Sequence, residues 1–206
     1  MPDKLLLVFA KNKLFGLVKT RLAKSIGPEA AYKVYEQLFH LTETETQRVK
    51  GVAIQIYFSH EIDESAWGEI PKYVQEGKDL GARMSNAFKA GFKAGYTQII
   101  GVGADLPDLT SERIENAFVE LENHDFVFGP AEDGGYYLVG LNGDKGLYVF
   151  ENKPWSTSEL LKLTKEEIET NKHKLTLLEE LNDIDTIEDL EQSSLSIDVT
   201  LIRKEK

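Results

Sequence analysis

Ile99-Ile100-Gly101-Val102-Gly103-Ala104-Asp105-Leu106-Pro107-Asp108-Leu109-Thr110 decides the fold. Residues 97 to 102 carry no charge and are mostly β-branched or small, which suits a strand covered on both faces. Gly103 lets the backbone turn, and Pro107 bars the strand from continuing. Thr110 is placed to cap a helix over Glu112 to Glu122. Asp105 therefore sits at the carboxyl end of a buried strand, where open α/β sheets bind ligands. A carboxylate there can hold a divalent cation. It can equally cap a turn, and this stretch alone leaves both readings open.

Outward from this stretch, apolar runs alternate with amphipathic ones. Leu5 to Ala10 reads as a buried first strand, and Pro28 opens a helix running from Glu29 to about Arg48. Val52 to Phe58, a brief Tyr73-Val74-Gln75, Asp125 to Gly129, Tyr136 to Leu141 and an edge segment at Leu175 to Leu177 read as strands. Arg83 to Ala94 and Glu159 to Asn171 read as helices, with a short helix near Trp67 and a helical turn ending near Glu191, and Asn142-Gly143-Asp144-Lys145-Gly146 reads as a turn. Ser193 to Lys206 reads as an edge strand or a frayed tail. The strand over Asp125 to Gly129 is expected to lie beside the central one. This pattern predicts one α/β domain over residues 1–206, a three-layer α/β/α sandwich with a mostly parallel sheet.

Composition narrows the function. Hydrophobic residues make up 41% of the 206, enough for a core. There is no Cys, which excludes a disulfide framework and a thiolate nucleophile and fits a reducing cytosol. Leu5 to Ala10 is too short for a signal-peptide core or a membrane span, so a cytoplasmic protein without membrane insertion is expected. The net charge of −11 argues against nucleic-acid binding. The four His show no zinc-ligand spacing, and no Gly-x-Ser-x-Gly elbow occurs.

Four segments could carry chemistry. Gly16-Leu17-Val18-Lys19-Thr20-Arg21 follows the first strand, and Lys19 and Arg21 offer charge to a phosphate; it is neither a P-loop nor a dinucleotide fingerprint. Leu80-Gly81-x-Arg83-Met84 opens a helix, where the Gly81 amide and the Arg83 guanidinium could meet an anion. Asp133-Gly134-Gly135-Tyr136 puts a carboxylate beside a backbone that can lie against an acceptor, with Tyr136 or Tyr137, but only one of them, facing the cleft. Asp183-Ile184-Asp185-Thr186 precedes Glu188 and Asp189. The latter pair reads as helix-capping, while Asp183 and Asp185 remain open as groups that serve a cation or an acceptor.

Taken in order, Ala10-Lys11, Gly16-x-Val18-Lys19-Thr20-Arg21-Leu22, Leu80-Gly81-x-Arg83-Met84, Gly103-x-Asp105-x-Pro107, Asp133-Gly134-Gly135-Tyr136-Tyr137-Leu138-x-Gly140-Leu141, Trp155-Ser156 and Asp183-x-Asp185-Thr186-x-Glu188-Asp189-Leu190 resemble the DUF2064 family. These are proteins of glycosyltransferase-A type, related to molybdenum-cofactor guanylyltransferases and phospholactate guanylyltransferases. The resemblance implies a nucleotide-diphospho-sugar transferase fold, phosphate binding by Gly16, Lys19 and Arg21, and Mg²⁺ or Mn²⁺ on Asp105. Two departures stand out. Lys13 and Phe15 occupy positions where the family often has proline, implying a looser loop, and the metal motif is not Asp-x-Asp, which puts a role for Asp108 in doubt. The expected function is a metal-dependent transfer from a nucleotide-sugar donor to an acceptor, with Asp133 as the acceptor base or an outer-sphere ligand of the metal. The alternatives are nucleotidyl transfer to a phosphorylated acceptor with release of pyrophosphate, and a non-catalytic nucleotide-binding module.

Overall fold

The computed structural model describes residues 3–195. Its strands are β1 (Lys4–Ala10), β2 (Ala53–Phe58), β3 (Lys72–Val74), β4 (Gln98–Gly103), β5 (Phe126–Pro130), β6 (Tyr136–Asn142) and β7 (Leu175–Leu177). The helices are α1 (Thr20–Ile26), α2 (Pro28–Arg48), α3 (Leu80–Lys93), α4 (Ser111–Glu120), α5 (Leu160–Thr170) and α6 (Ile187–Gln192), with a 3₁₀ helix over Asp144–Phe150. The strands form one sheet in the order β3-β2-β1-β4-β6-β5-β7. All pairings are parallel except those of β6, which runs antiparallel to both β4 and β5.

The side-chain alternation of β1 explains the three layers. Leu6 and Val8 face one way and pack with Tyr35 and Phe39 of α2 and with Ile114, Ala117 and Phe118 of α4. Leu5 and Leu7 face the other way and pack with Met84, Ala87 and Phe88 of α3, with Val149 and Phe150 of the 3₁₀ helix and with Ile168 of α5. Buried on both faces, Leu5 to Val8 of β1 and Ile99 to Val102 of β4 read as unbroken apolar runs in the sequence. A third, smaller cluster joins Leu22 of α1, Val34 and Leu38 of α2, and Ile184 and Leu190 around α6. The helix starts follow local chemistry. Asp79 accepts from the Ala82 amide at 2.8 Å, Thr110 from Arg113 at 3.3 Å, and Thr186 and Asp189 form a reciprocal capping box. Each such cap contributes roughly 1 kcal/mol. Glu188 and Asp189 thus have the capping place expected of them.

Three expectations are corrected. β5 does not neighbour the central strand β4, because β6 folds back between them. Trp67 lies in no helix. Its φ is 52°, and its buried indole donates to Thr46 Oγ1 at 2.9 Å, so a turn delivers the ring into the core. The segment read as a turn at residues 142–146 continues into the 3₁₀ helix. Residues 196–206, most of the stretch read as an edge strand or tail, lie outside the described residues. No helix among those described is long and apolar enough to cross a membrane.

The chain leaves β1 toward β2 and β3 and returns to pair β4 on the other side of β1. This reversal opens a crevice at the carboxyl ends of β1 and β4, the place such sheets reserve for ligands.

Candidate active site

A cleft of about 530 Å³ occupies that crevice. Phe9 and Lys11 come to it from the end of β1, and residues 101–106 from the end of β4. The turn after β5 brings Ala131, Asp133 and Gly135, and the segment between β7 and α6 brings Asp183 and Asp185. Four aspartates, 105, 133, 183 and 185, therefore line one cavity although they are spread over 81 positions of sequence.

Lys19 binds two of them. Its ammonium sits 3.3 Å from Asp105 Oδ2 and 3.1 Å from Asp185 Oδ1, with only 3% of its side chain exposed. The residue has φ 47°, ψ 44°, a left-handed conformation at the start of α1 that turns the side chain inward. Burial disfavours the charged form, but Asp105, Asp185 and Asp183 outweigh it and raise the Lys19 pKa, so the ammonium stays charged. Burial pushes Asp105 up, and Lys19 and Lys11 more than reverse this, holding the carboxyl below its usual range. Asp183 has the opposite outcome. Burial first, then the charges of Asp105 and Asp185, push it up to about 6, with Asp133 adding to them. The cavity thus holds more negative charge than its cations neutralise.

The loop between β1 and α1 is tied at its base. Asn12 donates from Nδ2 to the Glu61 carbonyl at 2.7 Å and accepts from the His60 amide at 2.8 Å, while the Tyr35 hydroxyl donates to the Lys11 carbonyl at 2.7 Å. These bonds anchor the base of the loop. Gly16, with φ 77°, lies exposed on the crown of the loop. Arg21 projects from the first turn of α1, two-thirds exposed, and pairs with the second oxygen of Asp185.

The second glycine loop closes the cleft. Gly134 has φ 85°, and a Cβ there would lie 2.2 Å from the Ser158 carbonyl oxygen, so no side chain fits. This contact seats the turn against the 156–158 segment. The Gly135 amide donates to Asp133 Oδ1 at 2.8 Å, leaving the other oxygen of this exposed carboxylate toward the cavity rim. Tyr136 and Tyr137 belong to opposite faces of the sheet, yet both line the cleft, contrary to the expectation of one. The cavity straddles the ends of the strands and so meets both faces.

The other expected residues lie apart. Gly81 is packed beneath Trp155, where a Cβ would stand 2.3 Å from the indole nitrogen. Arg83 donates from Nε to the Gly77 carbonyl at 3.3 Å. Neither lines the cleft. Asp108 accepts from Ser194 at 2.6 Å. Lys11, Leu80 and the run Trp155-Ser156-Thr157-Ser158 are cleft residues that sequence reasoning did not assign to the site. Lys11, Leu80 and Trp155-Ser156 all stand in motifs of the resembled family, and that was the available signal.

Residues 42–157 match the family described as "Uncharacterized protein conserved in bacteria (DUF2064)". A structure from Desulfovibrio desulfuricans G20 described as a "putative nucleotide-diphospho-sugar transferase" is 28% identical, with TM-score 0.88 over 100% of this chain and 95% of that one. CMP:2-keto-3-deoxy-manno-octonic acid synthetase, solved with CTP, aligns at 13% identity and TM-score 0.56 over 92% and 95%. Rv0371c of Mycobacterium tuberculosis H37Rv, solved with manganese, aligns at 12% and 0.57 over 92% and 96%. The last two share the fold. No curated protein matches the chain.

Proposed function

This chain belongs to the DUF2064 family, and on that premise we propose that it is a transferase moving a sugar from a nucleotide-sugar donor to an acceptor hydroxyl. The observation that carries this is the cleft at the strand reversal, where four aspartates meet Lys11 and Arg21. Arg21 and Lys11 receive the diphosphate of the donor, whose charge needs partners that a chain of net charge −11 offers in few places. Asp133, with one oxygen fixed by Gly135, takes the proton of the acceptor hydroxyl. The acceptor oxygen bonds to the anomeric carbon as the bond to the diphosphate breaks, and the nucleoside diphosphate leaves.

Mg²⁺ or Mn²⁺ suits this site in kind. Among the described residues no three His, Asp or Glu side chains converge as a ready-made metal site. The excess negative charge that raises Asp183 is nevertheless what a divalent cation relieves. Asp105 would hold it together with phosphate oxygens of the donor. The ion would offset charge on the leaving diphosphate.

Nucleotidyl transfer is the second reading, favoured by the two cations beside the loop after β1, which a triphosphate would use fully. Incubation with panels of nucleotide sugars and nucleoside triphosphates separates the readings. Release of nucleoside diphosphate supports sugar transfer. Release of pyrophosphate replaces it with nucleotidyl transfer, and turnover of neither panel leaves a non-catalytic module. Asp105→Ala should abolish the gain in nucleotide affinity that Mn²⁺ brings. Equal calorimetric affinities with and without Mn²⁺ in both proteins would dismiss the metal role.

A further inference from the structure

The cleft has a second half that the transfer reading leaves without an occupant. Phe9 of β1, Leu80 and Met84 of α3, Tyr136 and Val139 of β6, and Trp155 line it. Tyr136 stands edge-on to Trp155 at 6.2 Å between ring centroids and edge-on to Phe128 at 5.1 Å, so the aromatic wall is buttressed from behind. Leu80 is 44% exposed at the mouth. We propose that this half is the acceptor subsite, and that it takes an uncharged acceptor with a flat apolar face in preference to a phosphorylated one. This rests on the reading of the cleft as a transferase site.

Charge decides the class. The only ionisable group among those six residues is the Tyr136 phenol. Its hydroxyl is sealed from solvent without a hydrogen-bond partner among the described residues, and burial keeps it neutral. Three cations close in sequence to these residues are engaged elsewhere. Arg83 is turned to the Gly77 carbonyl, Lys153 is held by Glu167, and Lys162 by Glu159. The two cations that do line the cleft serve its acidic end, Arg21 on Asp185 and Lys11 on Asp105. A phosphate placed against Leu80 and Trp155 would lose its water and gain no partner. It would also face the field of Asp105, Asp133, Asp183 and Asp185. A planar apolar face loses nothing by the same transfer and stacks on the rings. The exposed Ser156, Thr157 and Ser158 at the rim can meet its polar edge.

The matched probes 2-naphthol and 2-naphthyl phosphate test this by calorimetry on the full chain. They are measured in the unaltered protein and in Arg21→Ala, where the phosphate cannot borrow the guanidinium. The expected result in Arg21→Ala is one saturable site for 2-naphthol and at least tenfold weaker binding of the phosphate. Leu80→Asp, at an exposed position that tolerates charge, should weaken 2-naphthol at least fivefold, and Trp155→Ala should do the same. Equal or tighter binding of 2-naphthyl phosphate in Arg21→Ala, no saturation by 2-naphthol, or indifference to Leu80→Asp would overturn the proposal. Nucleoside diphosphate with Mn²⁺ is titrated separately into the unaltered protein. Loss of that binding alone refutes the transferase reading, and loss of the naphthol result alone refutes the subsite.

Discussion

Lys19 and Trp155 hold opposite ends of one cleft. At the Lys19 end, three segments far apart in sequence are drawn together by one buried ammonium bridging Asp105 and Asp185, with Asp183 only partly compensated. At the Trp155 end, an indole over Gly81 and a ring-to-ring wall do the same work with no charge at all. The charged end depends on pH and on any cation that arrives. The apolar end depends on shape, since burial keeps its one phenol, that of Tyr136, neutral. The proposed transfer uses both, the charged end for the donor's phosphates and the apolar end for the acceptor.

The contrast can be broken at several points. Asp133→Asn removes the proposed base while keeping the Gly135 contact through its amide oxygen. It should lower kcat by about 10²–10⁴-fold and leave donor affinity within a few fold. Steady-state kinetics check this, and a matching fall in Mn²⁺ affinity would instead make Asp133 a metal ligand.

Lys19→Met leaves Asp105 and Asp185 facing each other without their shared cation. Removing one partner of a buried pair costs about 3–5 kcal/mol, and the lower figure applies because about a quarter of each carboxylate stays exposed, 26% in both. Urea unfolding measures the loss, which should shrink as the carboxylates protonate at low pH. A cost near zero would mean that Lys19 is free to serve phosphate instead.

Arg21→Ala should weaken nucleotide binding about tenfold or more, since a charge-assisted bond contributes roughly 1.5–3 kcal/mol. Equal loss for the nucleoside lacking phosphates would show that the guanidinium reads something else.

Asp183→Asn has the smallest effect and a defined sign. A carboxyl raised to about 6 stabilises the folded chain fully only below its unfolded value near 3.8, and that contribution is lost as pH rises through 6. In metal-free protein the substitution should therefore raise stability at pH 7.5, on the order of 1–2 kcal/mol after allowance for partial exposure. Below pH 4 the variant and the parent should coincide. A gain at low pH, or none at pH 7.5, would contradict the charge imbalance at this end.

Asp105 is readable because strand, glycine and proline surround it in twelve consecutive residues. Arg21, Asp133, Gly135, Tyr136, Asp183 and Asp185 each stand out in local motifs, and folding brings them to the same cavity. Gly81 and Arg83 look equally like an anion site locally, yet the indole of Trp155, 74 positions away, claims the space above Gly81. Phe9 reads as an ordinary apolar strand residue, for hydrophobicity alone does not tell a core face from a cleft wall.

Periodicity and turn chemistry in the sequence determined the elements, the two-sided burial of β1 and β4, the capping of α4 and α6, and the placing of a carboxylate at a strand end. These depend on interactions within a few residues, which the linear order contains. Tertiary structure alone decided that β6 inserts antiparallel between β4 and β5, that Lys19 turns inward to join two distant aspartates, and that the cleft divides into a charged and an apolar end. Strand pairing and the burial of a charge are settled by which distant groups are present to satisfy them, and that is a property of the assembled chain.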